Sequence, residues 1–218
     1  RAFDTVKPMT TAAYSPRTAD VGAPWRAPVA ESPVRAEVAV PGSKSLTNRE
    51  LVLSALAETP SRLIAPLHSD DSARMIDALR ALGAQIEAVP GEGRFGPDLV
   101  VTPLGAEPAD AVVDCGQAGT VMRFVTPLAG LARGEVTVTA HESALHRPMA
   151  EMIRSLRELG VDIDDGGRWT LPFLVHGHGH VRGGEVTIDA SASSQFVSGL
   201  LLAAPRFDVG LRLVHDGH

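Results

Sequence analysis

A single cysteine, Cys115, occurs in the 218 residues, which excludes a disulfide framework within the chain and a zinc site built from several cysteines. No run of about 18 apolar residues exists, so a membrane-spanning helix is not expected. No basic-then-apolar stretch opens the sequence, so secretion is not expected either, and the cytoplasm is the compartment that remains. Positive charge is short: the formal net charge is −6 and the pI about 5.7, which argues against a general nucleic-acid binder. Lysine is scarcest of all. The 20 basic residues are 18 arginines and two lysines, Lys7 and Lys44. High Ala, Gly and Arg usage fits a GC-rich gene. Against that bias, a lysine inside a Gly/Ser turn signals a need for a compact ammonium.

Residues 1–33 carry Pro8, Pro16, Pro24, Pro28 and Pro33 and no apolar period. They read as a mostly disordered leader, with the folded part, 34–218, beginning at Val34. From there the sequence repeats itself. Met75-Ile-Asp-Ala-Leu-Arg-Ala-Leu-Gly83 matches Met152-Ile-Arg-Ser-Leu-Arg-Glu-Leu-Gly160, and both show helical apolar spacing ending in a C-cap glycine. A short strand is expected after each, at Ala84–Ala88 and Val161–Asp164. A second set recurs three times. Strands are expected at Val34–Val40, Ala111–Asp114 and Glu185–Asp189. Each leads into a small polar turn: Pro41-Gly-Ser-Lys-Ser45, Gly116-Gln-Ala-Gly-Thr120 and Ser191-Ala-Ser-Ser-Gln195. Each turn opens an apolar helix, at Leu46–Glu58, Val121–Ala132 and Phe196–Ala204. A further strand then ends on a similarly placed histidine, His68, His141 or His215. The period is too long for the common solenoids and fits a βαβαββ unit used several times. The third unit stops at His218 where its second helix is due, so the chain reads as a fragment of something longer.

The turns carry the chemistry. A helix N-terminus offers free N–H groups and a partial positive charge of roughly +0.5 e. Three of them at one end of a pseudo-threefold unit would make an anion-binding floor. Lys44, Ser45 and Arg49 come from the first turn, Thr120 and Arg123 from the second, and Ser193, Ser194 and Gln195 from the third. Arg49 and Arg123 are equivalent in the repeat. The ligand these groups suit carries several negative charges and several hydroxyls. The competing reading is that Ser45, Thr120 and Ser194 are plain N-caps, worth about 1 kcal/mol each. A nucleotide-binding Walker loop fails at both glycine positions, occupied by Val38 and Ser43. His176-Gly-His-Gly-His180 has metal-like spacing but no acidic ligand placed to help, and its glycines suggest a loose hairpin. Cys115 reads as a buried structural thiol. Asp70 and Asp71 read as the negative first turn of a helix.

Pro41-Gly-Ser-Lys-Ser-Leu-Thr-Asn-Arg49, Gly119-Thr-Val-Met-Arg123, Arg147-Pro148 and Ser193-Ser-Gln-Phe196 together resemble the EPSP synthases, the 3-phosphoshikimate 1-carboxyvinyltransferases. The resemblance runs from about Trp25 to His218. It implies an α/β fold of repeated βαβαββ units, forming one lobe of a two-lobed enolpyruvyl transferase (an inside-out α/β barrel) with its third unit truncated. It implies transfer of the enolpyruvyl group of phosphoenolpyruvate to the 5-hydroxyl of shikimate 3-phosphate, a step of aromatic amino-acid biosynthesis. It implies no metal and no organic cofactor, a monomer when complete, and glyphosate as an inhibitor. By the same resemblance, Lys44 is the catalytic lysine and touches both substrates. Ser45, Arg49, Thr120, Ser193, Ser194 and Gln195 bind shikimate 3-phosphate. Gly119, Arg123, Arg147 and again Gln195 bind phosphoenolpyruvate. Two positions depart from the family pattern: Gln117 stands where asparagine is usual, and Phe124 where proline is common. The family's acid–base groups belong to the second lobe, so the isolated fragment is expected to be inactive. Two alternatives stay open. One is the sister transferase acting on UDP-N-acetylglucosamine, whose cysteine sits in a mobile loop. The other is a non-catalytic anion-binding fragment.

Overall fold

In chain order the elements are α1 (Lys44–Leu56), β1 (Ser61–Leu63), α2 (Asp70–Ala81), β2 (Gln85–Val89), β3 (Asp98–Thr102), β4 (Ala111–Asp114), α3 (Gly119–Leu131), β5 (Arg133–Thr139), α4 (Ala150–Glu158), β6 (Asp162–Asp164), β7 (Phe173–His178), β8 (Gly184–Ile188), α5 (Gln195–Ala203) and β9 (Leu211–His215). They come from a computed structural model that describes residues 29, 32–33, 35–105 and 110–217. The leader expected over 1–33 lies almost wholly outside the described residues. Val40–His218 form one compact unit.

The repeat is visible in matching bonds. α2 and α4 both end on a glycine in the left-handed region, Gly83 at φ +102° and Gly160 at φ +96°. Beyond each glycine the next N–H turns back to the helix, Ala84 to the Leu79 carbonyl and Val161 to the Leu156 carbonyl, both at 2.9 Å. Arg80 donates to the Ile86 carbonyl at 2.5 Å, and Arg157, at the same place in the next unit, donates to the Ile163 carbonyl at 2.7 Å. The apolar stripe of each helix is buried, through Met75 and Leu79 in one and Met152 and Leu156 in the other.

The sheets are versions of one plan. The second unit is complete, with strand order β4-β5-β7-β6; β4 runs parallel to β5, and β7 is antiparallel to both its neighbours. The first unit shows β1-β3-β2, the same order without the leading strand, and the third shows the parallel pair β8-β9. The strand expected at Val34–Val40 is therefore not formed: residues 35–40 are exposed and carry no regular structure, and Val34 lies outside the described residues. Alternating apolar residues become a strand only beside an edge that supplies hydrogen-bond partners, and β1 is three residues long.

Helices occupy the interior. α1, α3 and α5 pack on one another, and α3 is buried at every residue from Thr120 to Gly130. Such a helix must be mostly apolar, and its Met122, Phe124, Val125 and Leu128 are fully buried, while its polar Thr120, Arg123 and Thr126 are each hydrogen-bonded. Pro127 removes the N–H that would bond the Arg123 carbonyl. Gly199 of α5 lies against that same carbonyl, where any Cβ would collide. A proline in one helix and a glycine in the other thus bring α3 and α5 close at the level of Arg123. The expected α/β architecture, helices inside and one-sided sheets outside, is the one observed.

Candidate active site

Hydrogen bonds between the opening turns of each pair of central helices bring those turns together. Asn48 of α1 donates to the Thr120 hydroxyl of α3 at 2.8 Å. Arg49 of α1 donates to the Ser198 hydroxyl of α5 at 3.0 Å. Arg123 of α3 donates to the Gln195 side-chain oxygen of α5 at 3.4 Å. All six residues sit within the first two helical turns, so the N-termini of α1, α3 and α5 lie at one end of the unit.

The caps leave that end receptive. In α1 the cap is Ser43, whose hydroxyl accepts from the Leu46 N–H at 3.4 Å, and not Ser45. The N-cap of α3 is Ala118, and Ser194 at the N-cap of α5 makes no side-chain cap bond. No hydroxyl of Ser45, Thr120 or Ser194 therefore serves as a cap acceptor, and α3 opens with N–H groups that no N-cap side chain satisfies.

A cationic cluster surrounds Gly119. A Cβ there would stand 2.8 Å from Arg123 Nη1, 3.4 Å from Arg147 Nη1 and 3.5 Å from Gln195 Oε1. Arg123 is held by neutral acceptors, the carbonyls of Gly119 at 3.0 Å and Pro148 at 3.5 Å. Arg147 donates to the Gln117 carbonyl at 2.8 Å. Neither guanidinium pairs with a carboxylate among the described residues. Burial pulls the Arg123 guanidinium below the usual arginine value, and the charge of Arg147 beside it adds to the effect. The Arg123 Nε is buried without a partner. Two adjacent cations and an orphaned donor are costly unless an anion completes them.

Lys44 opens α1, and its side chain meets a carboxylate of α2. Its ammonium lies 2.9 Å from Asp71. Ser69 and Ser72 form a capping box that starts α2, and this sets Asp71 in the first turn facing Lys44. Asp71, Arg74, Asp114, Gln117 and Ala118 line one groove of about 970 Å³. The pair therefore borders the start of α3, and half of the Lys44 side chain stays exposed. A second cavity, about 240 Å³, opens at the far, C-terminal ends of α1 and α3 and contains none of the residues named for the site.

Ser193 and Ser194 precede α5, and the Ser193 hydroxyl accepts from the Gln195 N–H at 3.2 Å. Asn48, fully buried, was not singled out from sequence; it sits inside the first motif, but only its long-range bond to Thr120 reveals a task. Cys115 is fully buried, and burial, with Asp114 nearby, pushes its thiol up to about 12. His68, His141 and His215 bond to the Pro97 carbonyl, the Ser143 hydroxyl and the Ile188 carbonyl. His176 and His180 face different acids, Glu135 at 3.4 Å and Asp208 at 3.0 Å. No metal-ligating cluster is found among the described residues, and none of their helices is long and apolar enough to cross a membrane.

Fold and site together define an α/β repeat lobe that gathers three helix N-termini and an arginine pair at one end. Comparison with known proteins makes this particular: the family model "EPSP synthase (3-phosphoshikimate 1-carboxyvinyltransferase)" matches residues 29–217, and the chain belongs to that family. It is 58% identical over 196 residues to the 3-phosphoshikimate 1-carboxyvinyltransferase of Kocuria rhizophila, covering 88% of this chain and 44% of that protein. The EPSP synthase structure from Acinetobacter baumannii superposes with a TM-score of 0.66 at 27% identity, over 78% of this chain and 38% of that one. The chain thus spans less than half the length of the relatives it matches.

Proposed function

We propose that the polypeptide carrying this lobe transfers the enolpyruvyl group of phosphoenolpyruvate to the 5-hydroxyl of shikimate 3-phosphate. In the balanced reaction the hydroxyl oxygen gains the enolpyruvyl carbon and gives up its proton, and phosphate leaves. The observation that carries this reading is the convergence of Arg123, Arg147 and Gln195 on Gly119, because a departing phosphate needs guanidiniums that no protein carboxylate has neutralised. Gly119 keeps the space beside them open. Ser45 and Arg49 take the carboxylate end of shikimate 3-phosphate, with Thr120 beside them. Ser193 and Ser194 take its phosphate, and Gln195 lies along the ring. Lys44 stands between the two substrates, drawn there by Asp71.

The sister reaction on UDP-N-acetylglucosamine is disfavoured, since the one cysteine is buried and its thiol is held protonated. The complete enzyme is read as a cytoplasmic monomer using no cofactor. A phosphate-release assay with both substrates, on the polypeptide expressed over its full reading frame, is expected to show turnover that needs both. The 218 residues alone are expected to show none, because positioning and proton transfer need both sides of the cleft. Arg147→Ala should raise the KM for phosphoenolpyruvate more than that for shikimate 3-phosphate. Equal effects on the two would contradict the assignment.

A further inference from the structure

The geometry points to Phe124 and Phe196 as positioning residues, each holding one anion-binding arginine by its ring face and so tuning affinity for one substrate. This deepens the proposed transferase reading and rests on it. The Arg49 guanidinium carbon lies 5.1 Å from the centre of the Phe124 ring, and that of Arg123 lies 5.0 Å from the centre of the Phe196 ring. Both rings are buried, Phe124 at 0% and Phe196 at 2% exposure, so neither can swing away. The arrangement is a relay. The arginine of α1 rests on the ring of α3, and the arginine of α3 rests on the ring of α5. Each ring directly follows a site residue in the chain, Phe124 after Arg123 and Phe196 after Gln195.

The need for such rings follows from charge. A carboxylate would fix a guanidinium but would also neutralise it and compete with an anionic ligand. Arg49 makes no ion pair among the described residues; its bonds go to the Ser45 carbonyl at 3.0 Å and the Ser198 hydroxyl at 3.0 Å. Arg123 likewise has only neutral acceptors. An aromatic face attracts the cation through its quadrupole and leaves the full positive charge for the ligand. Ring contact is made through the guanidinium face, so hydrogen bonds to a carboxylate or phosphate would form in the plane of the group and not compete with it. Plain core filling would ask only for apolar volume, which leucine also supplies.

The test uses the polypeptide expressed over its full reading frame. Fluorinated phenylalanines, with one to three ring fluorines, replace Phe124 or Phe196 singly; they keep shape and weaken the ring's negative face. Stepwise fluorination at 124 should raise the KM for shikimate 3-phosphate by about 3- to 10-fold in all and leave that for phosphoenolpyruvate unchanged. At 196 the pattern should reverse. Phe124→Leu and Phe196→Leu should reach the end of each series. Flat KM values across the fluorine series, or equal rises for both substrates, would overturn the positioning role. If the parent protein turns over neither substrate, the transferase reading fails, and the rings are judged without it. The Arg49 and Arg123 Nε–H protons should then show upfield ring-current shifts in the NMR spectrum, lost in the corresponding leucine variant. Unshifted protons in the parent would overturn the proposal by that route.

Discussion

Asn48 and Thr120, 72 residues apart, share a buried 2.8 Å hydrogen bond that ties the first turn of α3 to α1. Asn48 is fully enclosed, and its carbonyl oxygen has no partner. The amide half of the side chain therefore supplies all of its polar benefit. Asn48→Ala removes the bond and leaves a small cavity, at an expected cost of about 2 kcal/mol. Asn48→Asp should cost more, since a carboxylate replaces the donor and accepts from nothing in place. Urea unfolding of both variants checks the order; a milder effect for aspartate would mean that Thr120 reorients to donate.

Gly119→Ala puts a methyl 2.8 Å from Arg123 Nη1. A free arginine would step aside, but this one is bonded to the Gly119 and Pro148 carbonyls and lies over Phe196. On the proposed function, glyphosate inhibits the parent, and the alanine variant loses inhibition by about 10-fold or more while phosphoenolpyruvate binding weakens less. Inhibition curves at fixed phosphoenolpyruvate decide it; an unchanged curve would show that Arg123 yields freely.

Lys44→Met should lower turnover by at least about 100-fold with both substrates saturating. Stability should change by under about 1 kcal/mol, because the ion pair to Asp71 is half exposed on the lysine side. Steady-state kinetics and a thermal melt on the same preparation separate the two effects.

Two aspartates should shape the acid limb of stability. At Asp98 the Ala65 N–H outweighs the opposing effect of burial, and Arg62 adds to it; the carboxyl is held below its ordinary value of 3.8. At Asp165 burial pushes upward but loses to Arg157 and the N–H groups of Trp169 and Gly167. A carboxyl with a lowered folded pKa adds stability that is complete well above the unfolded value. That stability drains as pH falls below about 3.8 through the folded value. Asp165→Asn should flatten the fall in unfolding free energy between pH 5 and about 3. An unaltered acid slope would remove Asp165 from this role.

Cys115 should resist thiol reagents at pH 8 in the folded protein, since it is fully buried and its thiol is pushed up to about 12. Labelling that tracks urea unfolding is the expected result. Fast labelling without denaturant would show that the β4–α3 turn opens.

Local chemistry in the sequence determined much of this protein. The spacing of Met75, Leu79 and Gly83, and of Met152, Leu156 and Gly160, specifies two amphipathic helices with glycine ends, because side-chain periodicity and a positive φ act within a few residues. The acidic start of α2 at Asp70 and Asp71, the strand Ala111–Asp114 and the burial of Cys115 were legible for the same reason. The polar turns also marked the three helix starts that converge. Tertiary structure alone decided the rest. Residues 35–40 look like a strand yet form none, since a strand needs an edge that sequence pattern cannot supply. What holds Lys44, what Asn48 binds and which ring lies under each arginine depend on groups brought together by chain folding, from helices dozens of residues apart. The Asn48 and ring pairings arise only when α1, α3 and α5 pack, where burial makes an unpaired polar group costly, and the Lys44 pairing only when α2 comes alongside α1.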